Sequence, residues 1–296
     1  MLQPPLQPML LKTAEEPFNS KDYLFEFKWD GFRTIIFINK KKVYLQSRNG
    51  KNLTPYFSEL KQLSSYINKS SLVLDGEICY FNSDNKSRFN ILQKRLSSRD
   101  KNLTLQYPVT YITWDILSTG ETYIYNKKLS ERKKILDNSI TEENNFLQIS
   151  PWILEKGEKL YNKAENNDFE GIVAKQLDSK YEFRRSDKWK KIKIWKYENV
   201  YIGGFTREKT ALLVGIKNKQ EQLNYMGKVK TALTPREREA LFNFLPELKT
   251  EKTPFSNPGQ MEDITWVKPH ISCRVKYNEL TPDNNFRHGY ITELNL

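Results

Sequence analysis

The chain has 296 residues, enough to bury a large core and more natural for two packed domains than for one, and its 48 Lys and Arg against 36 Asp and Glu give a formal charge of +12. That balance favours a polyanionic partner without identifying one. Two cysteines, Cys79 and Cys273, and two histidines, His270 and His288, are too few and too scattered for a disulfide framework or a zinc cluster.

The opening Met1-Leu2-Gln3-Pro4-Pro5 lacks the basic and apolar segments of a secretory leader, and no apolar run is long enough to cross a membrane, so a cytoplasmic location is expected. Gln7 to Leu11 reads as a proline-punctuated arm packed on a first domain. Leu24 to Lys28 is predicted as a strand, Asp30-Gly31 as a tight turn and Thr34 to Asn39 as the return strand, which would put Lys28 at the mouth of a hairpin. In Phe25-Glu26-Phe27-Lys28-Trp29-Asp30-Gly31-Phe32-Arg33 an apolar run thus ends on a lysine set between two acidic residues. A lysine amine, with an ordinary pKa of about 10.4, becomes a nucleophile only when desolvation or neighbouring positive charge lowers that value. The same stretch taken alone also fits a solvated lysine beside a turn.

A second hairpin is predicted at Lys40-Lys41-Lys42, leading through Val43 to Ser47 into Arg48-Asn49-Gly50-Lys51, where Asn-Gly is a strong turn signal. Tyr56, Leu60, Leu63 and Ile67 have the spacing of an amphipathic helix over Pro55 to Tyr66. Leu72 to Tyr80 is an apolar strand carrying Asp75 and Glu77. Unpartnered burial of these acids is costly, so they should face a metal, a ribose or a cation, or else lie in solvent at a bulge around Gly76.

Helices are expected over Arg88 to Leu96, Leu129 to Leu136 and Glu155 to Glu165, with a strand from Val109 to Leu117. Phe169 to Lys175 is a strand with a carboxylate at its start and a lysine at its end. Lys180 to Lys196 holds the densest basic charge, and strand alternation there puts Trp189, Lys191 and Lys193 on one face and Lys190, Ile192 and Ile194 on the other. Lysines two apart on one strand can both reach a triphosphate. Beyond Glu198 come short strands, Val200 to Phe205, Ala211 to Ile216, Leu223 to Val229, Thr265 to Lys268 and Ser272 to Tyr277. A helix capped at Thr234-Pro235 and running through Leu245 sits among them. Five strands and one helix suit an OB-fold barrel, and an unrelated small β-domain would have the same texture.

Lys28-Trp29-Asp30-Gly31-Phe32-Arg33 fits Lys-x-Asp-Gly-x-Arg and resembles motif I of the covalent nucleotidyltransferases: DNA ligases, RNA ligases and mRNA capping enzymes. Ser47-Arg48-Asn49-Gly50 resembles the ligase motif whose arginine touches the nick phosphate. Leu74-Asp75-Gly76-Glu77-Ile78 resembles motif III, whose glutamate contacts the ribose. Tyr111-x-x-Trp114-Asp115-x-Leu117 resembles motif IIIa, whose aromatic stacks on the purine. Glu170-Gly171-Ile172-Val173-Ala174-Lys175 resembles motif IV, and Trp189-x-Lys191-x-Lys193 motif V. The order is that of the family, and the set is most similar to the ATP-dependent ligase module of bacterial ligase D.

The resemblance implies an α+β architecture. An ATP-grasp-like nucleotidyltransferase adenylation domain of antiparallel sheets with flanking helices would span 1–197, and an all-β OB-fold domain 198–296, with a hinge at Tyr197 to Val200. It implies ATP-dependent sealing of nicked duplex DNA through AMP carried on Lys28, with Lys191 and Lys193 completing the catalytic set. The nucleotide would be held by Glu26, which accepts from the adenine amino group, and by Phe27, Arg33, Glu77, Trp114, Glu170, Val173, Lys175, Lys191 and Lys193. Arg33, Arg48 and Arg185 would grip nick phosphates, and Glu77 and Glu170 would hold Mg²⁺ or Mn²⁺. Ku or other repair proteins are the expected partners of a monomer with no membrane contact. One departure concerns self-adenylylation: Phe286-Arg287-His288-Gly289 and the residues after it lack the closing arginine of the family. The alternatives are an RNA ligase or a capping-type enzyme, the latter preferring GTP, and a non-catalytic ligase-like protein that binds nucleic acid.

Overall fold

A computed structural model describes residues 2–98, 102–257, 261–281 and 283–295. The chain divides into two units, Met1–Ile194 and Trp195–Leu296. In the first, the elements run β1 (Leu10–Thr13), β2 (Ser20–Phe27), β3 (Phe32–Asn39), β4 (Lys42–Ser47), β5 (Ser71–Cys79), α1 (Phe89–Ser97), α2 (Asn102–Gln106) and β6 (Thr110–Thr119). They continue with β7 (Thr122–Tyr123), α3 (Leu129–Asp137), β8 (Leu147–Ile149), β9 (Trp152–Glu155), α4 (Gly157–Asn166), β10 (Gly171–Gln176) and β11 (Arg185–Lys193).

Two sheets result, one ordered β1-β11-β10-β2-β9 and one ordered β4-β3-β5-β6-β7 with β8 beside β6. β5 and β6 are buried along nearly their whole length, as strands covered on both faces are. On one face Ile36, Ile38, Leu72 and Leu74 pack with Leu60, Leu63, Leu92 and Leu136 from the covering helices. On the other, Ile35, Phe37, Val73 and Trp114 meet Leu24 and Trp189 of the first sheet and Met9 of the N-terminal arm. The outer face of that first sheet, through Phe25, Ile172, Ala174 and Ile192, is closed by Leu160 and Ala164 of α4.

Asp30-Gly31 does not close a hairpin, because β2 pairs with β10 and β9 whereas β3 pairs with β4 and β5. The chain crosses from one sheet to the other there. Glycine is demanded by contact: a Cβ on Gly31 would stand 2.2 Å from the Ile78 carbonyl oxygen and 2.9 Å from Cγ of Glu77. The hairpin at Lys40-Lys41-Lys42 forms as expected, with Asn39 opposite Lys42. The expected helix over Pro55 to Tyr66 is a 3₁₀ segment, Ser58–Ser65, whose buried Leu60 and Leu63 lie three apart, the period of that helix.

The second unit comprises β12 (Lys196–Thr206), β13 (Leu212–Lys217), β14 (Leu223–Thr231), α5 (Pro235–Phe244), β15 (Ile264–Trp266), β16 (Ser272–Tyr277), β17 (Glu279–Leu280), β18 (Phe286–Arg287) and β19 (Tyr290–Asn295). The order β13-β14-β19-β16-β12, closed by pairing of β12 with β13, is a five-stranded ring of OB type. Its fifth strand is β19, not the Thr265 to Lys268 segment, since β15 pairs along β12 outside the ring. Tyr197 to Val200 lies inside β12, where residues 196–199 are exposed and burial begins at Val200. α5 starts on a capping box: the Thr234 hydroxyl accepts from the Glu237 amide at 3.3 Å, and the Glu237 carboxylate accepts from the Thr234 amide at 2.9 Å. Among the described residues no helix is long and apolar enough to span a membrane.

Candidate active site

Strand register assembles the site. Across β2, β10 and β11, Val173 stands opposite both Glu26 and Lys191, and Gly171 opposite Lys193. The Lys28 amide extends the second row by donating to the Gly171 carbonyl at 2.9 Å. Two rows, Glu26–Val173–Lys191 and Lys28–Gly171–Lys193, therefore lie two residues apart, which puts them on one face of the sheet. Gly171 holds φ at +146°, and a Cβ there would meet the Ile192 carbonyl oxygen at 2.1 Å, so the second row depends on glycine. Phe27 is one residue out of phase. Its ring turns to the α4 side and stacks on Phe169 at 4.2 Å between centroids, so among the expected nucleotide contacts its side chain is not brought to this face.

On the shared face, Lys28 is hydrogen-bonded to the Glu170 carboxylate, and Lys193 Nζ lies 3.2 Å from the other oxygen of that group. Burial alone would raise the Glu170 carboxyl, but Lys28 and Lys193 outweigh it and hold the group at about 2. Lys191 is shifted down, first by burial and then by repulsion from Lys193 and Lys28. Three lysine side chains gathered around one carboxylate form a site suited to the phosphates of a nucleotide.

Glu77 enters from β5, with 8% of its surface exposed. Burial pushes its carboxyl up to about 8; Lys28 and Arg33 oppose the rise, while Asp30 and Glu170 add to it. Mutual repulsion of Glu77 and Glu170 is what a divalent cation would relieve. No group of three or more His, Cys, Asp or Glu side chains is poised to cage a metal among the described residues. The donor set fits a hard cation that takes one or two carboxylates and fills its shell with phosphate and water.

Trp114, from β6, is 8% exposed. The Arg33 guanidinium lies 5.2 Å and the Lys175 amine 5.0 Å from its ring centroid. Arg33 is itself locked: Nε and Nη2 donate to the two oxygens of Asp75 at 3.0 and 2.6 Å, and the Tyr181 hydroxyl donates to the same carboxylate at 2.8 Å. The Met9 amide donates to the Tyr181 oxygen at 3.0 Å, so the N-terminal arm helps to hold this wall. Asp75 is thus fully buried and paired, not at a solvent-facing bulge. Arg48 and Arg185 are exposed on the surface, and Arg185 is near enough to Lys191 for its charge to help hold that amine down. The Arg48 amide donates to the Arg33 carbonyl at 3.0 Å, and the Arg185 guanidinium donates to the Leu11 carbonyl.

Glu26 is 1% exposed and bonded on both oxygens, by Lys175 at 2.6 Å and by Lys133 of α3. Burial lowers Lys175 to about 8, with Lys133 pushing the same way and Glu26 opposing. Lys133, Tyr181 and the buried pairing of Asp75 are parts of this cluster that motif spacing does not reveal. A signal for Lys133 is nevertheless present: α3 buries Leu129, Arg132, Lys133 and Leu136, so two cations fill positions of an i, i+3, i+4, i+7 stripe that leucines would ordinarily occupy.

The family pattern described as ATP dependent DNA ligase domain matches residues 8–193, and that of the ATP dependent DNA ligase C terminal region matches 206–295. The multifunctional non-homologous end joining protein LigD of Mycolicibacterium smegmatis is 31% identical over 281 residues, spanning 91% of this chain and 35% of that protein. The SPbeta prophage-derived DNA ligase-like protein LigB of Bacillus subtilis is 26% identical over 283 residues, 95% of this chain and 96% of its own length. Among solved structures, mycobacterial DNA ligase D complexed with ATP and MES superposes with a TM-score of 0.58 at 28% identity, covering 98% of this chain and 95% of that one. The chain therefore matches only about 35% of the length of its LigD relatives.

Proposed function

The chain belongs to the ATP-dependent DNA ligase family, and on that ground we propose that it seals 3′-hydroxyl/5′-phosphate nicks in duplex DNA, with Lys28 as the residue that carries AMP. The observation that supports this reading is the convergence of Lys28 and Lys193 on Glu170, with Lys191 one row away and Glu77 facing them from β5.

Lys28 Nζ attacks the α-phosphorus of ATP. A nitrogen–phosphorus bond forms as the bond to the bridging oxygen breaks, pyrophosphate leaves, and the amine proton passes to water. Lys191 and Lys193 take up negative charge on the phosphates, which is how positioned cations accelerate phosphoryl transfer. A 5′-phosphate oxygen of the nick then attacks the same phosphorus and frees Lys28. The 3′-hydroxyl attacks the activated 5′-phosphate, AMP departs, and the strand is closed. Glu77 holds the ribose, Trp114 and Val173 border the purine, and Glu26 accepts from the adenine amino group beside Lys175. Arg48 and Arg185 grip phosphates flanking the nick, whereas Arg33, expected from the sequence to join them, has its guanidinium committed to the buried Asp75 and braces the pocket wall instead. Glu77 and Glu170 are the residues that would hold Mg²⁺ or Mn²⁺, which when bound supplies further charge neutralisation at the α-phosphate.

We place the protein as a monomer acting on chromosomal DNA in the cytoplasm, recruited by Ku or another repair protein. Incubation with ATP labelled on the α-phosphate tests the core of the reading. Intact protein gains the mass of one AMP and Lys28→Ala gains none, whereas equal labelling of the two would remove Lys28 from the mechanism. Labelling from GTP instead of ATP would favour a capping-type enzyme, and nick binding with no AMP transfer would favour a non-catalytic binder.

A further inference from the structure

Helix α3 delivers two buried cations to the wall of the pocket, and only one of them is accounted for by packing. Arg132 is fully buried and satisfied. It is bidentate on Asp115 at 2.8 and 2.9 Å and donates to the carbonyls of Lys127 and Ser179 at 2.6 and 2.8 Å, which pins α3 to β6 one residue from Trp114. Lys133 is different. Its side chain is 2% exposed and bonded to a carboxylate that already has a partner, because Glu26 also receives Lys175. One buried lysine balances one buried carboxylate. The second adds a desolvation cost that the exposed Asp137, one turn along α3 and felt through its charge, offsets only in part. A methionine or leucine at that stripe position would pack without the cost.

What the second lysine does is mechanical. Lys175 comes from β10 and Lys133 from α3, so the Glu26 carboxylate is held on one oxygen from the sheet and on the other from the helix. Its plane is fixed. Lys175, confined to a single oxygen, lies over the rings of both Trp114 and Trp189, at 5.0 and 4.4 Å from their centroids. Without Lys133 the Lys175 amine is free to straddle both oxygens and to leave the face of Trp114.

Resting on the nucleotide reading given above, we propose that Lys133 is a positioning residue which, by clamping the Glu26 carboxylate, sets the purine selectivity of the Lys28 pocket. The ligand group it serves is an amine at C6 of the purine with unprotonated N1 beside it, the edge at which guanine carries a carbonyl and an N1–H instead.

The test compares wild type, Lys133→Met and Lys133→Arg in single-turnover labelling of Lys28 by ATP, GTP and the triphosphate of purine riboside, which lacks the amine. In Lys133→Met the half-saturating ATP concentration rises about tenfold while the maximal labelling rate stays within about twofold, and the preference for ATP over GTP falls by the same factor. Purine riboside triphosphate shows no such rise, and Lys133→Arg restores the ATP value at least in part. A purely structural lysine would instead lower the melting temperature and the labelled fraction alike for every nucleotide. Equal shifts across the three nucleotides, or none, overturn the proposal. Should Lys133→Met not fold, Lys133→Gln with the same three nucleotides decides between these outcomes. If wild type takes AMP from no nucleotide, the ligase reading itself fails, an outcome distinct from unchanged selectivity in an active enzyme.

Discussion

Lys28 and Glu170 are hydrogen-bonded at the adjoining ends of two neighbouring strands, and this pair makes the acid stability of the first unit predictable. The Glu170 carboxyl falls from 4.5 to about 2 on folding, held there against burial by Lys28 and Lys193. Between those values the unfolded chain binds more protons than the folded one, so this contribution is complete above about pH 4.5 and is lost as pH falls towards 2. Urea midpoints measured in EDTA should drop more steeply over that interval for wild type than for Glu170→Gln; parallel curves would refute the assignment.

Lys175 acts on the alkaline side. Burial lowers it from 10.5 to about 8, so the unfolded chain again carries the extra proton, and stability should increase as pH rises through that window. Lys175→Met should abolish the increase, as read from melting temperatures between pH 8 and 10.5. A wild-type curve that declines throughout the window would contradict the depressed value.

Replacement of Trp114 separates packing from base binding. Trp114→Ala empties a site at the sheet-to-sheet interface and should cost about 3–5 kcal/mol of stability. Trp114→Phe keeps an aromatic face and should lose far less, while weakening ATP binding severalfold in single-turnover labelling. Unchanged ATP affinity in the phenylalanine variant would place the base elsewhere.

Arg48 and Arg185 are exposed, and the bonds to Glu170 come from Lys28 and Lys193 instead, so loss of either arginine should largely spare the first step. Arg48→Ala and Arg185→Ala should acquire AMP at the wild-type rate yet bind nicked duplex more weakly, each reducing the slope of log affinity against log salt by about 1. Loss of AMP acquisition in either would place that arginine at the nucleotide.

The Arg132–Asp115 pair has both side chains fully buried. Arg132→Met strands a buried carboxylate and should cost about 3–5 kcal/mol, whereas Arg132→Met with Asp115→Leu should recover much of it. Thermal melts of the two variants decide whether the pair is structural.

Much of the site is legible from spacing alone, because its chemistry sits on strands. Two-residue alternation predicts that Lys191 and Lys193 share a face, and the register with Val173 and Gly171 carries that face across to Glu26 and Lys28. The same rule, applied strictly, turns Phe27 away from the face that holds Lys28 and Glu170, since it is one residue out of phase with Lys28. Asp30-Gly31 announces a reversal of the chain, but a turn dipeptide does not say which sheet receives the next strand; that depends on the partners available to β3. Lys133 is hidden because a helix stripe is recognised by its hydrophobic residues, and a cation on it has meaning only once Glu26 stands at its tip. β19 is masked by the polar residues of Tyr290 to Asn295, although Ile291 among them is fully buried in the barrel.

The crossing of the chain between the two sheets at Asp30-Gly31 has a bearing on motion. Lys28 belongs to one sheet, and three residues later Gly31 is wedged against β5 of the other, so the Lys28 amine rides on the seam between them. Any breathing that parts the sheets tugs on the segment carrying the amine, and any ligand that draws Glu77 and Glu170 together tightens it. Amide exchange at residues 28–31 should therefore slow when nucleotide binds, and should report opening of this clamshell before any other backbone stretch in the first unit.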